Sequence, residues 1–207
     1  MSRPHTRDLV VLVADTNMEQ AVRGLLARTA ALGIRPTLTF DVFVHPRRDP
    51  GVFADAPAFL RSLQREYHYA LVMLDLEGCG QPGKSASQIE TDLQHRLDKV
   101  GWKGRSAVVV LDPELEIWVF SRSRQVINII AGGDAAFFHQ TLKQHPSLPN
   151  GKPSEPKIVM EELLARRNLP RSSALYRRLA EKVSLTGCQD EAFNKFRHTL
   201  RNWFPQA

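Results

Sequence analysis

The sequence predicts an α/β fold, a mostly parallel sheet flanked by helices and followed by a C-terminal helical extension. Two observations carry this prediction. Up to Leu111, short apolar runs alternate with segments of helical periodicity, the pattern of βαβ units. The runs themselves, LVVLV, YALVML and SAVVVL, are nearly continuous, as in parallel strands covered on both faces. Of 207 residues, 43% are apolar and 24% charged, enough to build a core, so one domain with an appendage fits the length.

Asp8–Val13 reads as the first strand. Thr16 and Glu19 fit a capping box, so a helix is expected from there to Gly33. Pro36–Val44 is β-rich and reads as the second strand, and HPRRDPG (His45 to Gly51) as a Pro/Gly-punctuated loop. A helix over Ala54–Tyr67, a strand over Tyr69–Leu74, a helix over Ser85–Val100 and a strand over Ser106–Leu111 follow. DPELEIWVFSRSRQVINII is ambiguous: Asp112-Pro113 looks like a helix start, yet Ile117 to Phe120 are good strand formers. The stretch from Gly132 to Pro156 is turn-rich. Three basic amphipathic helices are expected over 157–168, 172–184 and 190–204. The expected division is an α/β domain over 1–150 and a basic helical extension over 151–207 packed on it.

Charge is unevenly spread. Residues 1–120 hold 14 Lys+Arg against 15 Asp+Glu, whereas 121–207 hold 14 against 7. An acidic site region beside a basic surface suits a polyanionic partner, although solvated helix faces produce the same count. No run approaches the ~20 apolar residues of a membrane span. The start, MSRPHTRD, lacks the apolar stretch of a secretory signal, and only Cys79 and Cys188 occur, so a reduced cytoplasmic protein is expected.

From Gly78 the chain spells G-x-x-x-x-G-K-S, ending in Gly83, Lys84 and Ser85, the pattern of a phosphate-cradling loop between strand and helix. Asp75 and Glu77 at its mouth would repel a triphosphate, and Pro82 removes one N–H from the cradle. The acids are the stronger signal. In parallel α/β sheets, ligands sit beyond the carboxyl ends of strands. Asp15 and Glu19 follow the first strand, Asp75 and Glu77 the third, and Glu114 and Glu116 the fourth. Carboxylates gathered there repel one another, a cost that Mg2+ would remove. Taken singly, each is explained as well by helix capping or by a solvated turn.

D-T-N-M-E after strand one, L-D-L-E-G after strand three and E-L-E-I-W after strand four together resemble Toprim-like proteins. The likeness is greatest to a bacterial family of small Toprim-related proteins often encoded among phage-defence genes. That family is related to the Toprim half of the overcoming-lysogenization-defect nucleases. It extends through Lys152-Pro153-Ser154 into the tail. The resemblance implies a Toprim-like, Rossmann-like sheet and Mg2+- or Mn2+-dependent cleavage of phosphodiester bonds in DNA, less so RNA, within an antiviral defence system. It implies Asp15 and Glu19 as the catalytic acids and Asp75, Glu77 and Glu116 as the metal ligands. Four departures are visible: Asp for Glu at 15, Thr16 for glycine, Glu77 for Asp, and Ser121 where relatives often carry another Asp. They support a second expectation, a non-catalytic subunit that docks onto defence-system proteins or DNA. Arg47, Arg48, Lys84, Arg166, Arg167, Arg177 and Arg178 are the candidates for phosphate-backbone contact.

Overall fold

A computed structural model describes residues 5–121 and 123–206; Met1–Pro4 of the opening segment and Arg122 of the ambiguous stretch lie outside them. Four strands, β1 (Arg7–Val13), β2 (Phe40–Val44), β3 (Tyr67–Asp75) and β4 (Ser106–Leu111), form one all-parallel sheet in the order β2-β1-β3-β4. This is a Rossmann-like α/β arrangement, as the apolar runs predict. The chain leaves β1 for one neighbour and later returns to the other side, so the topological switch point lies between β1 and β3.

Helices α1 (Thr16–Leu26) and α2 (Thr29–Leu32) follow β1, α3 (Arg48–Arg61) follows β2, and α4 (Ala86–Leu97) follows β3. Right-handed crossovers put α1 on one face and α3 and α4 on the other. Beyond β4 come a 3-10 turn (Leu115–Trp118), α5 (Arg124–Ile130) and α6 (Ala135–Gln144). The extension consists of α7 (Pro156–Ala165), α8 (Ser173–Lys182) and α9 (Glu191–Trp203). Its buried residues, among them Val159, Leu163, Tyr176, Leu179, Phe196 and Leu200, belong to one hydrophobic cluster with the strands.

Several expected boundaries shift for local reasons. Asp15, not Thr16, caps α1, accepting from Met18 N at 2.8 Å. Glu19 is then free of the cap and pairs with Arg23. The single helix expected to Gly33 breaks after Leu26, and Gly33 closes α2 with φ +76°, which a glycine adopts without strain. The segment HPRRDPG is largely helix: α3 starts at Arg48, with Pro50 in its first turn, where a missing N–H costs nothing. Pro57 inside α3 cannot bond the Phe53 carbonyl, and Arg96 Nη2 donates to that oxygen at 2.6 Å instead. The ambiguous stretch resolves into the 3-10 turn and α5, with no strand among its described residues. The Asp112–Pro113 bond is cis, and Pro113 starts no helix. Inside the stretch read as turn-rich, Asp134 caps α6 through Phe137 N.

The extension packs closely on the sheet layer. Gly24 of α1 faces α8 so tightly that a Cβ there would stand 2.7 Å from Ala180 Cβ. Arg28 Nη1 donates to the carbonyls of Ala180 and Val183, each at 2.7 Å, capping the end of α8.

Candidate functional site

At the carboxyl ends of the strands lies a polar cleft of about 380 Å3. Six acids line it: Asp15, Asp49, Asp75, Glu77, Glu114 and Glu116. Arg48, Lys157 and Arg171 supply its basic groups. Each strand contributes through the residues just after it or at its end. Asp15 follows β1, Asp49 lies in the first turn of α3 after β2, Asp75 ends β3, and Glu114 and Glu116 follow β4.

The backbone fixes these positions. Past β3, Leu76 N still bonds Leu111 O at 2.8 Å and Glu77 N bonds Pro113 O at 3.0 Å. Asp75-Leu76-Glu77 is therefore laid along the segment that carries Glu114. Asp75 N donates to Asp49 Oδ1 at 2.8 Å, which places the Asp49 carboxyl at the tip of β3.

Asp75 is the electrostatic centre. As a residue it keeps some exposure, yet its Oδ1 is sealed from solvent and has no hydrogen-bond partner. Burial first, then the charges of Asp49, Glu116, Asp15 and Glu114, raise its carboxyl well above the usual carboxylate range. Burial likewise raises Asp49. Glu114, buried and beside Glu116, is pushed up to about 7, even though Lys157 N donates to its Oε1 at 3.1 Å.

Glu116 is 3% exposed and its Oε1 is already occupied. Arg171 Nη1 donates to it at 2.5 Å, and the Tyr176 hydroxyl donates to the same oxygen. Burial and the adjacent Glu116 charge push the Tyr176 phenol up, so it remains a donor. Arg171 Nε also pairs with Glu161 Oε1 at 3.0 Å.

The donor set is hard oxygen, the chemistry of Mg2+ or Mn2+. Among the described residues, no three Asp, Glu, His or Cys side chains converge closely enough to form a ligand cage. Mg2+ rarely needs one. It commonly takes one or two carboxylates and keeps its remaining waters. The unpartnered Asp75 Oδ1 and the crowded charge around it fit such a sparse site and do not fit an all-protein cage.

The expected site residues divide. Asp15, Asp75, Glu77 and Glu116 come together on the cleft, although Asp15 Oδ1 also caps α1. Glu19 does not. Its Oε1 accepts from Arg23 Nε at 2.9 Å, away from the cleft lining, which removes it from a proton-transfer position. Of the basic candidates, only Arg48 lines the cleft. Arg47 pairs with Asp55, and Lys84 pairs with Asp92 at 3.5 Å and lies over the Phe53 ring. Arg166 stacks on Phe137 at 4.1 Å, Arg167 lies against Gly132, Arg177 pairs with Glu181, and Arg178 is exposed. No basic track runs from them to the acids among the described residues.

The phosphate-loop pattern at Gly78–Ser85 is occupied by local structure. Ser85 Oγ accepts from Gln88 N and Gln88 Oε1 accepts from Ser85 N, a reciprocal cap that uses two of the N–H groups at the start of α4. Sequence reasoning missed Asp49, whose signal was its place directly after a strand inside a segment read as a turn. It also missed Lys157, and Arg171 reads in the sequence only as part of a basic run. Comparison with family models, with curated proteins and with solved structures returned no match. No described helix is long and apolar enough to cross a membrane.

Proposed function

We propose that the cleft binds a divalent cation and hydrolyses phosphodiester bonds in nucleic acid, DNA in preference to RNA. The observation that carries this reading is Asp75 Oδ1, sealed from solvent and unpartnered, with five other acids around it at the switch point of the sheet. Retaining a group at such electrostatic cost, in a protein free to replace it, is a mark of function. Asp75 and Asp49 would hold the cation, with Glu77 on the rim. The cation, when bound, supplies charge neutralisation and an acidified water. Glu114, near 7 and held by the Lys157 N–H, can take or return a proton close to neutral pH, the role that the resemblance to Toprim-like proteins implies for Asp15 and Glu19. The likeness to Toprim-related proteins adds a cytoplasmic setting in bacterial antiviral defence.

Purified protein is therefore expected to bind Mn2+ and, with Mg2+ or Mn2+, to cut DNA or RNA. Asp75→Asn is expected to lower cutting by at least about a hundredfold and to weaken Mn2+ binding. A wild type that neither binds Mn2+ in calorimetry nor cuts any nucleic acid would sink the proposal.

A second reading has its own support. One of the expected ligands, Glu116, already holds Arg171 and Tyr176, and Glu19 holds Arg23. Those pairs suit a non-catalytic subunit that keeps the fold and docks onto partner proteins or DNA. Absence of cutting together with recovery of a stoichiometric complex from cells would favour it.

A further inference from the structure

We infer that Arg171, delivered by the helical extension, binds the phosphate of the ligand that enters the cleft. The inference rests on the reading of the cleft as a cation site for phosphoryl chemistry. It adds that recognition of the anion comes from outside the sheet layer, at a residue to which the motif assigns no role.

Six acids against three basic groups make the cleft hostile to a phosphate, so some fixed positive charge must face the ligand. The three basic residues differ in how firmly they are held. Arg48 is exposed, and Lys157 contributes its backbone N–H to Glu114. The Arg171 guanidinium is held along two edges. Nη1 donates to Glu116 Oε1 and, at 3.3 Å, to the Tyr176 oxygen, while Nε faces Glu161. Its Nη2 makes no hydrogen bond to any described residue. A planar fork fixed in this way keeps its charge at every accessible pH and loses little freedom when a further acceptor arrives. It presents the remaining N–H groups in a set direction, the arrangement suited to a phosphate oxygen. The other explanation is a purely structural clamp, with Arg171 tying the loop before α8 to the 3-10 turn.

The two explanations separate in calorimetry on the full chain. Inorganic phosphate is titrated into Mn2+-loaded wild type, Arg171→Lys and Arg171→Gln, with Mn2+ titrations and thermal melts run alongside. Both variants are expected to lose phosphate affinity by about tenfold or more, because lysine keeps the charge but not the fork. Their Mn2+ affinity is expected to stay within about threefold of wild type. Unchanged phosphate affinity in the variants, or Mn2+ affinity that falls in step with it, would overturn the assignment in favour of the clamp. If Arg171→Gln does not fold, Arg171→Lys decides. A wild type that binds Mn2+ but no phosphate overturns this inference and leaves the cation reading standing. A wild type that binds neither overturns both.

Discussion

Glu114 and Asp75 are carboxyls whose surroundings oppose their charge, and the sign of the consequence for stability can be worked out. Glu114 stands at about 7 in the folded protein against 4.5 in its ordinary state, and Asp75 is displaced in the same direction. Between those values the folded chain holds more protons than the unfolded one, so its stability falls as pH rises from about 4.5 through about 7. Glu114→Gln keeps the oxygen that accepts from Lys157 and removes the charge. Its melting temperature at pH 8 without metal should exceed that of wild type, by about 2–4 °C for each kcal/mol relieved by removing the buried charge and its repulsion from Glu116. The two proteins should converge below pH 4.5. Parallel melting curves across the whole range would mean that neither burial nor the neighbouring acids displace the Glu114 carboxyl. Asp15, Asp75, Glu77 and Glu116 were legible in the sequence because each lies directly beyond an apolar run, where a parallel sheet puts its ligands. Asp49 was not, since Pro50-Gly51 beside it reads as a turn, and only the observed start of α3 carries its carboxyl to the tip of β3. Glu19 misled for the opposite reason. Arg23 lies one helical turn further on, and an i,i+4 ion pair outcompeted the site.

At the scale of elements, the contact of α1 with α8 depends on a missing side chain. A Cβ at Gly24 would meet Ala180 Cβ at 2.7 Å and the Arg177 carbonyl at 3.0 Å, and neither of these two atoms is the movable end of a side chain. Gly24→Val should cost about 1–3 kcal/mol in urea denaturation. Adding Ala180→Gly should return part of that loss, and full additivity of the two changes would contradict the proposed contact. Strands and terminal helices were readable to within a few residues: SAVVVL at β4 needed no correction, and α7 to α9 fall where the amphipathic spacing put them. The errors cluster where two local signals compete. Asp15 and Thr16 are both good caps, and the aspartate won. Ile117 to Phe120 have strand chemistry, but the 3-10 turn and the residues just after it bury Ile117, Val119 and Phe120 without a ladder. α6 was hidden because flanking glycines and prolines dominate the reading of its short sequence.

Across the whole molecule, one buried ion pair joins three separate stretches. Asp190 Oδ1 accepts from Trp118 Nε1 at 2.9 Å and from Phe193 N at 3.0 Å, while its Oδ2 meets Lys152 Nζ at 3.2 Å. Lys152 Nζ also donates to the Ile117 carbonyl at 2.8 Å. The side chains of both partners are at most 10% exposed. Asp190→Ala strands the ammonium and should destabilise the fold by about 3–5 kcal/mol. The paired change Lys152→Met with Asp190→Leu should cost less than that single one. A double variant as unstable as Asp190→Ala would show that the hydrogen bonds to Trp118 and Phe193 matter more than the charge.

The Arg28 guanidinium grips carbonyls of Ala180 and Val183, the nearer of them 152 residues further along the chain. Ribosomes add about 5–20 residues per second. The face of α1 that meets α8, with Ala21, Gly24 and Leu25 on it, therefore waits on the order of ten seconds after its own synthesis before α8 exists to cover it. For that interval the nascent chain carries an uncovered greasy helix beside a half-built sheet. Holdase chaperones that bind such surfaces are expected to accompany its production, and slowing translation should lengthen their association with α1.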